Sequence, residues 1–334
     1  RITLVTGNAP GNDMRFYDER VEANRNFANK VWNASRFILM NMEGKEITVP
    51  NESDLSAVDQ WIISKMNTLT KDVTENMDKF ELGIAVQKVY DFIWDEFCDW
   101  YIELAKYRIY HAEEDPAAAN SALYTLKTVL GDALKLLHPF MPFVTEEIYG
   151  ALVPEEESLM MSSWPEYKES SCYPEAENIV DHMKEIIRGV RNVRAEMNVA
   201  PSRKAKTYIV CENENLCQGF EEIKESSMPL MSANEIQIQS DKSGIAEDAV
   251  SVVVADAVVY LPMEELVDFE QELERLTKEE ARLTKELARV NGMLNNEKFI
   301  SKAPEAKINE ERAKLEKYTQ MMEQVQERLK GLRK

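Results

Sequence analysis

The chain has 334 residues, 44% apolar and 30% charged, a composition typical of a soluble folded protein with two or three domains. No apolar run approaches the roughly 20 residues of a membrane-spanning helix, and no basic segment followed by an apolar core marks a secretory signal. The low content of Gly and Pro, 11 and 12 residues, favours long helices. These features predict a cytoplasmic protein without a membrane partner. The first residues, beginning at Arg1, already form an apolar element, which suggests the tail of a longer protein.

The net charge of −20 is unevenly distributed. Residues 145–177 and 207–262 each carry −8, whereas residues 178–206 between them carry +4. A basic strip in an acidic chain indicates an anionic partner, although a solvated helix face explains it equally well. The four cysteines (Cys98, Cys172, Cys211 and Cys217) and three histidines (His111, His138 and His182) are widely spaced, so neither a metal site nor a disulfide is expected.

Residues 1–15 are interpreted as a connector, because their glycine loop lacks the Lys-Ser/Thr of a phosphate-binding loop. Residues 16–42 predict a helix, in which Val31 and Ile38 recur on an apolar face. Another face carries Asn26, Lys30, Asn33 and Phe37. An aromatic ring beside amides and a cation can stack on and hydrogen-bond unpaired bases. The commoner alternative, in which Phe37 packs and the polar side chains are solvated, stays open.

Further helices are predicted from a cap at Ser53 or Asp54 to Met77, over 81–111, over 116–137 and around 145–149. They form a bundle of four or five antiparallel helices through about residue 150, with the aromatics of 81–111 in its core. A helix over 178–197 has an apolar stripe at Ile186, Val190, Val193 and Met197. Lys184, Arg188 and Arg191 are predicted to face the other way, and Arg194 extends this positive patch. All four are candidates for contact with an RNA backbone.

The last third of the chain changes pattern twice. Residues 207–262 alternate with period two, around one helix over 213–226, and predict a small α/β module. Residues 264–334 contain two apolar heptad seams of about four heptads each, separated by residues 291–304. This pattern predicts an antiparallel coiled-coil hairpin. Cations near its reversal are further RNA-contact candidates: Arg289, Lys298, Lys302 and Lys307.

The predicted fold is therefore mainly α, in four parts. These are a connector (1–15), a helical domain (16–206), a small α/β module (207–262) and a coiled-coil arm (263–334).

Three motifs carry a resemblance to a known family. They are Asn26–Phe37 (NFANKVWNASRF), His138–Tyr149 (HPFMPFVTEEIY) followed by Trp164-Pro165, and Asn296–Pro304 (NEKFISKAP). Together with residues 187–194 (IRGVRNVR), they resemble the anticodon-binding region and terminal arm of the valyl-tRNA synthetases. These are class I aminoacyl-tRNA synthetases. Isoleucyl-type enzymes commonly end in a cysteine-ligated zinc module, which this chain cannot build, and leucyl-type enzymes lack the terminal hairpin.

The resemblance implies that the chain binds tRNA(Val) as a monomer, without DNA. It implies that Phe37 stacks on an anticodon base, that Asn26 and Asn33 read base edges, and that Lys30 and Arg36 hold phosphate. The family's ATP-binding signatures are absent, and Ser64-Lys65-Met66 lies in a predicted helix. ATP, Mg²⁺, valine transfer and editing of threonine would thus belong to another part of the parent ligase. The rival hypothesis is a cytoplasmic helical scaffold whose coiled coil recruits a protein. It accounts better for the acidity but not for the basic strip.

Overall fold

The computed structural model describes residues 1–6, 16–266, 269–296 and 305–332. It is mainly α-helical with one small sheet, as the sequence predicts. The chain divides into two compact units, residues 1–261 and residues 262–334, hereafter the bundle unit and the arm. Among the described residues, no helix is long and apolar enough to cross a membrane. The predicted glycine loop at residues 7–13 lies outside them.

The bundle unit contains nine helices within its described residues. They are α1 (Ile2–Val5), α2 (Asp18–Met42), α3 (Ala57–Asp78), α4 (Leu82–Asp91), α5 (Ile102–Tyr110), α6 (Pro116–Leu137), α7 (Pro142–Leu152), α8 (Pro174–Glu196) and α9 (Glu214–Met231). Its strands are β1 (Ala205–Val210), β2 (Ala233–Gln239), β3 (Val250–Val254) and β4 (Ala257–Leu261). Helix α3 is central, packing against α4, α6 and α8.

The start of α3 differs from the prediction. The residues expected to cap it form a separate 3₁₀ turn, Glu52–Asp54. The cap is Ser56, whose hydroxyl accepts a hydrogen bond from the Asp59 backbone amide while the Asp59 carboxylate accepts one from the Ser56 amide. This reciprocal arrangement satisfies two donors that a helix start otherwise leaves unpaired.

Asp59 also joins four helical segments in the core. Its fully buried carboxylate accepts hydrogen bonds from the Tyr101 hydroxyl at 2.6 Å and the Ser121 hydroxyl at 3.0 Å. The Arg108 guanidinium donates two more, at 2.5 and 2.7 Å. Burial opposes ionisation of Asp59, but Arg108 and the hydroxyl donors outweigh it and hold the pKa of this carboxyl below its ordinary value.

The helix predicted over 81–111 is interrupted in its hydrogen-bond pattern. Between α4 and α5 lies a π-helical segment, Phe92–Tyr101. The prediction that its aromatics form the core is confirmed for Phe92, Phe97, Trp100 and Tyr101, which are buried. Trp94 is half-buried and stacks on Tyr90, with ring centroids 5.8 Å apart.

Helix α8 joins the bundle to the sheet. The strand order is β2-β1-β4-β3, with β1 parallel to β2 through α9 and the other pairs antiparallel. Helix α8 packs against α3, α9 and β3. At Gly189 a Cβ atom would lie 2.5 Å from Val252 Cγ1, so only glycine permits this approach. The sheet and the helices accordingly form one compact unit that ends at Leu261.

The arm consists of α10 (Met263–Leu266), α11 (Phe269–Leu294) and α12 (Glu305–Leu332). Helices α11 and α12 pack against each other, with Leu276, Leu283 and Val290 of the first predicted seam buried. The Gln326 amide donates a hydrogen bond to Glu280, which otherwise interrupts that seam. Supercoiling of the pair stays a prediction. Helix α11 runs through Gly292, which the sequence had suggested as part of the reversal.

Candidate nucleic-acid interface

The polar face predicted on α2 exists, but its members differ in availability. Asn26, Asn33 and Arg36 are exposed, whereas Lys30 and Phe37 are half-buried. They are held on one helix because Phe27, Val31, Ala34 and Ile38 bury the opposite side in the bundle. The exposed amides and the Arg36 guanidinium are thus positioned by a rigid element and remain open to solvent.

Lys30 is engaged within the protein. Its ammonium donates hydrogen bonds to Asp99 at 2.7 Å and to the Trp94 carbonyl at 3.1 Å, and lies 3.7 Å from the Trp94 ring centroid. Carboxylates crowd this region: burial and then the charges of Asp91 and Asp99 raise the pKa of Asp95. The α2 face is therefore acidic around Lys30, which disfavours a phosphate there.

Phe37 lies one turn after Asn33 and two turns after Lys30 on α2. It is therefore further along the helix than the acidic surroundings of Lys30. The Lys106 ammonium, on α5, lies 5.7 Å from its ring centroid. Tyr110, one turn after Lys106, is 64% exposed at the end of α5. Sequence analysis missed both residues, because the aromatic pattern of 81–111 was interpreted as core throughout. The spacing of residues in the sequence could not reveal the contact between Lys106 and Phe37, because they lie on different helices.

The predicted basic face of α8 is only partly correct. Lys184 was expected to be exposed but is buried, with 4% relative exposure. Its ammonium contacts Glu96 at 2.6 Å and Asp181 at 3.4 Å, and lies over the rings of Trp61 and Trp100. The prediction failed because α8 is covered by α3 and the π-helical segment on the side that its apolar stripe leaves polar. Lys184 is thus an internal counter-ion rather than a surface cation.

Arg194 is also buried, contrary to its predicted place on the basic patch. Its guanidinium donates to the carbonyls of Ala200 and Arg203 and so closes the loop after α8. Burial lowers the pKa of Arg194. Its partners are backbone oxygens six and nine residues ahead, which helical periodicity cannot reveal.

Arg188 and Arg191 do lie on the surface as predicted. Their guanidinium carbons are 5.2 and 5.8 Å from the centroid of the buried Trp100 ring. Arg191 also donates to the Leu230 carbonyl at 2.7 Å, which fixes its orientation. Two arginines restrained by one indole ring form a compact positive surface, since cation–π contact orders the guanidinium without neutralising it.

The α2 and α8 candidates lie on different sides of the π-helical segment. Trp94 and Asp99 face α2 through Lys30, whereas Glu96 and Trp100 face α8 through Lys184. No hydrogen bond or ion pair within the described part of the chain joins the two sets. The structure therefore offers two separate surfaces, the Phe37 surface (Asn33, Arg36, Phe37 and Lys106) and the Trp100 surface (Arg188 and Arg191).

The arm candidates are described only in part. Arg289 is exposed and pairs with Glu286 at 2.9 Å, one turn earlier on the same helix. Lys307 is exposed near the start of α12. Lys298 and Lys302 lie outside the described residues. An ion pair at this exposure is weak, so Arg289 can exchange its carboxylate for a phosphate at small cost.

Two family models match parts of the chain, one within each unit. Residues 59–209 match the family model "Anticodon-binding domain of tRNA ligase", and residues 268–333 match "Valyl tRNA synthetase tRNA binding arm". The first range contains all four α8 candidates, whereas α2 precedes it.

Similar curated proteins include the valine--tRNA ligases of Clostridium tetani and Clostridium perfringens. They are 50% and 49% identical over 100% and 99% of this chain. The Bacillus cereus valine--tRNA ligase is 43% identical over all of it. The chain spans 38% of the length of each of these relatives.

Proposed function

Because the chain belongs to the valine--tRNA ligase family, we propose that it binds tRNA(Val) and positions it for valylation by the part of such a ligase that the chain does not contain. The observation that carries the proposal is the Trp100 surface, which lies within the range that matches an anticodon-binding domain. In this proposal the chain acts as a monomer in the cytoplasm. The scaffold hypothesis is not favoured, because both matched models describe tRNA-binding elements.

The Trp100 surface would hold the RNA backbone. Arg188 and Arg191 present forked donors that match the geometry of phosphate oxygens. Their stacking on Trp100 and the bond from Arg191 to Leu230 restrict both side chains before RNA arrives. Less conformational entropy is then lost on binding. Phosphate contacts of this kind supply affinity and orientation but no sequence information.

The Phe37 surface would meet an unpaired base. Phe37 offers a ring face with the Lys106 ammonium 5.7 Å from its centroid, although that ammonium also pairs with Glu103 at 2.6 Å, three residues earlier on α5. Arg36, the residue before Phe37 on α2, is exposed and carries a further positive charge. The Asn33 amide, one turn away and exposed, carries both a donor and an acceptor for a base edge. The acidic surroundings of Lys30 displace the proposed contact toward the C-terminal half of α2, so Asn26 and Lys30 become secondary candidates.

The arm would add a second contact region. Arg289 and Lys307 are the described cations of the predicted set, and both are exposed. Two linked sites on one ligand raise the apparent affinity through effective concentration. A contact by the arm far from the anticodon would therefore strengthen binding without any further sequence recognition.

ATP and Mg²⁺ would act elsewhere in the parent ligase, where ATP activates the amino acid. In this chain, Ser64 is buried and donates to Glu177 at 2.5 Å. The Lys65 ammonium pairs with Glu177 and Asp181 at 2.8 and 2.9 Å. Both side chains are held between α3 and α8, so this sequence does not fit a nucleotide phosphate. Valine-dependent pyrophosphate exchange by the isolated chain above a protein-free blank would contradict this assignment.

The central test compares two double variants in tRNA(Val) binding at several salt concentrations. Arg188→Gln with Arg191→Gln should lower affinity and reduce the slope of log K against log salt by about 0.7–0.9 for each lost phosphate contact. Arg25→Gln with Lys79→Gln removes the same charge from exposed side chains outside both proposed surfaces. An equal reduction in both variants would show a general charge effect and overturn the assignment of the Trp100 surface.

A second test addresses the proposed base contact. Phe37→Ala should weaken tRNA(Val) binding by about 1–3 kcal/mol if one base stacks on the ring. The melting temperature of the bundle unit decides the alternative, because a core phenylalanine would lower it substantially. Unchanged affinity together with a large fall in melting temperature would show that Phe37 is a packing residue.

A further inference from the structure

Two cysteines of the bundle unit, whose spacing in the sequence suggested no pairing, contact each other in the structure. Cys211 directly follows β1, and Cys217 lies in the first turns of α9. The Cys217 thiol donates a hydrogen bond to the Cys211 carbonyl at 3.1 Å. The Cys211 side chain is also a hydrogen-bond partner of the Cys217 thiol. The tight connection between strand and helix, in which Asn213 caps α9, therefore brings two thiols together.

A cavity of about 430 Å³ opens beside this cysteine pair. Its walls are the end of β1, the first turns of α9 and the end of β2, and they include both cysteines and the carboxylates of Glu212, Glu214 and Glu221. Cys217 is half-buried, whereas Cys211 is only 1% exposed. A small reagent that enters the cavity therefore reaches the Cys217 sulfur first, and the second thiol is next to the sulfur that has reacted.

We propose that Cys211 and Cys217 form an oxidation site, at which a low-molecular-weight disulfide such as oxidised glutathione converts the two thiols into one intrachain disulfide. The Cys217 thiolate first attacks one sulfur of the reagent, forming a mixed disulfide and releasing one thiol. Cys211 then loses its proton to solvent and attacks the Cys217 sulfur, and the second thiol of the reagent leaves. The protein gives up two electrons and two protons, which reduce one reagent disulfide to two thiols.

The backbone around the pair is already held in place. The Cys211 amide donates to the Gln239 carbonyl at 3.0 Å, and the Cys217 amide donates to the Asn213 carbonyl at 2.9 Å. Because the Cys217 sulfur already contacts the backbone of Cys211, the second step needs rotation of side chains and no rearrangement of the strand or the helix. The inference does not depend on tRNA binding.

The surroundings of the pair make the oxidation slow at neutral pH. Burial, then the Cys211 side chain and the charge of Glu214, raise the pKa of Cys217 to about 11. Only the thiolate attacks a disulfide, so the rate should rise about tenfold for each pH unit below that pKa. A thiolate without stabilising partners also gives the reduced form no advantage, which favours the disulfide at equilibrium.

The test treats this chain with oxidised glutathione at pH 9 and follows its tryptic peptides by mass spectrometry. Cleavage after Lys206 and Lys224 gives one peptide, residues 207–224, that contains both cysteines of the pair. This peptide should first gain one glutathione, then lose it and end about 2 Da lighter than the reduced peptide, because two hydrogens have been removed. A peptide that stays reduced, or that retains glutathione, would overturn the proposal.

The chain contains its own control for the second step. Cys172 is half-buried like Cys217, but its thiol contacts the Asn67 amide and the Tyr167 hydroxyl. It should therefore stop at the mixed disulfide under the same conditions. Cys172→Ser should leave closure of the pair unchanged, whereas Cys211→Ser should trap glutathione on Cys217.

The pH dependence of closure in the unmodified chain decides the case in which Cys211→Ser does not fold. In the folded protein, the rate should still rise about tenfold between pH 9 and pH 10. In urea, where both thiols are solvated, it should level off near the ordinary cysteine pKa of about 8.5. Levelling off at that pH without urea as well would show that only an unfolded form reacts and would contradict the proposed site.

Discussion

The bundle unit and the arm both carry many cations, but the two units place them differently. In the bundle unit, Lys184 is buried and the Arg108 side chain is only 10% exposed, and each pairs with a carboxylate on another helical segment. In the arm, Arg282 and Arg289 are exposed and pair with glutamates three residues earlier on the same helix. The buried cations therefore depend on tertiary structure, whereas the arm cations need only a helix. Charge therefore supports tertiary structure at these two positions of the bundle unit, whereas Arg188 and Arg191 of the same unit, like the arm cations, lie on the surface.

The largest effect should come from removing Arg108. Arg108→Met leaves the Asp59 carboxylate buried without its main counter-ion, which should cost about 3–5 kcal/mol of unfolding free energy. Tryptophan fluorescence during urea unfolding measures it, because the five tryptophans (Trp32, Trp61, Trp94, Trp100 and Trp164) all lie in the bundle unit. Arg282→Met in the arm is the matched control and should leave this transition unchanged. If Arg108→Met lost no more unfolding free energy than Arg282→Met, within experimental error, the two units would not differ in how these cations support the fold.

Substitution of Lys184 should give the next largest effect, and this effect should be on stability and not on tRNA binding. Lys184→Met removes an ammonium that donates to Glu96 and Asp181, both partly solvated, so we expect a loss of about 2–3 kcal/mol. Affinity for tRNA(Val), measured where the variant is folded, should not change. Arg188→Gln, one turn further along α8, should lower affinity for tRNA(Val) and leave stability unchanged. Reduced affinity without a loss of stability in Lys184→Met would return Lys184 to the set of RNA contacts.

Two glycine substitutions, one in each unit, test the same difference between the units and should change stability by smaller amounts. Gly189→Ala would place a Cβ atom 2.5 Å from Val252, a stiff β-branched side chain, and should cost about 1–2 kcal/mol. In Gly292→Ala of the arm the new methyl group meets nothing within 4 Å, so the arm should gain about 0.5–1 kcal/mol. Far-UV circular dichroism during thermal unfolding follows both. A stabilising Gly189→Ala would show that α8 can move away from β3.

The smallest expected effect depends on pH. His182 on α8 contacts Asp256 at 2.7 Å in the turn between β3 and β4. Burial opposes its protonation, but hydrogen bonds to the Asn178 carbonyl and Asp256 prevail and raise the pKa of His182. A raised pKa stabilises the fold fully below the ordinary histidine pKa, and this contribution is lost as pH rises through the folded-state value. We expect a difference below about 1 kcal/mol between pH 6 and pH 8, because the pair is partly screened by solvent.

Chemical denaturation of Asp256→Asn at both pH values checks this contribution. The pH-dependent difference assigned to His182 should disappear in the variant, while the remaining pH dependence is retained. An identical pH dependence in both proteins would show that the contact is not formed in solution.

Periodicity correctly predicted the buried sides of α2 and α11. The seam positions Leu276, Leu283 and Val290 are buried because α11 packs mainly against α12. Periodicity predicted the exposure of Lys184 incorrectly. Helix α8 is covered on several sides, so the Lys184 side chain is buried although it lies opposite the predicted apolar stripe. The strands of the α/β module followed from their alternating pattern. The contact between Gly189 and Val252 could not be predicted, since it depends on residues 63 positions apart in the chain.

Of the candidate site, the sequence identified the α8 arginines that matter for the proposal, but not the tryptophan that orders them. Trp100 was correctly interpreted as core. Its second role, as the surface on which Arg188 and Arg191 rest, depends on a π-helical segment that the sequence pattern did not reveal. Helical spacing on α2 identified Asn33 and Phe37, and the family motif added Arg36, whereas the position of Lys106 beside Phe37 depends on tertiary structure.

The contacts between the sheet and the helices bear on how the chain folds during synthesis. The Glu222 carboxylate on α9 accepts a hydrogen bond at 2.7 Å from the amide of Ala57, 165 residues earlier, at the start of α3. Strand β3 covers Gly189 of α8 through Val252, which follows it by 63 residues. Helices α3 and α8 therefore leave the ribosome before the residues that cap and cover them. Contacts of such sequence separation form slowly, so the nascent helices expose apolar surface until residue 261 has emerged, and this interval is when they are most open to aggregation or chaperone binding.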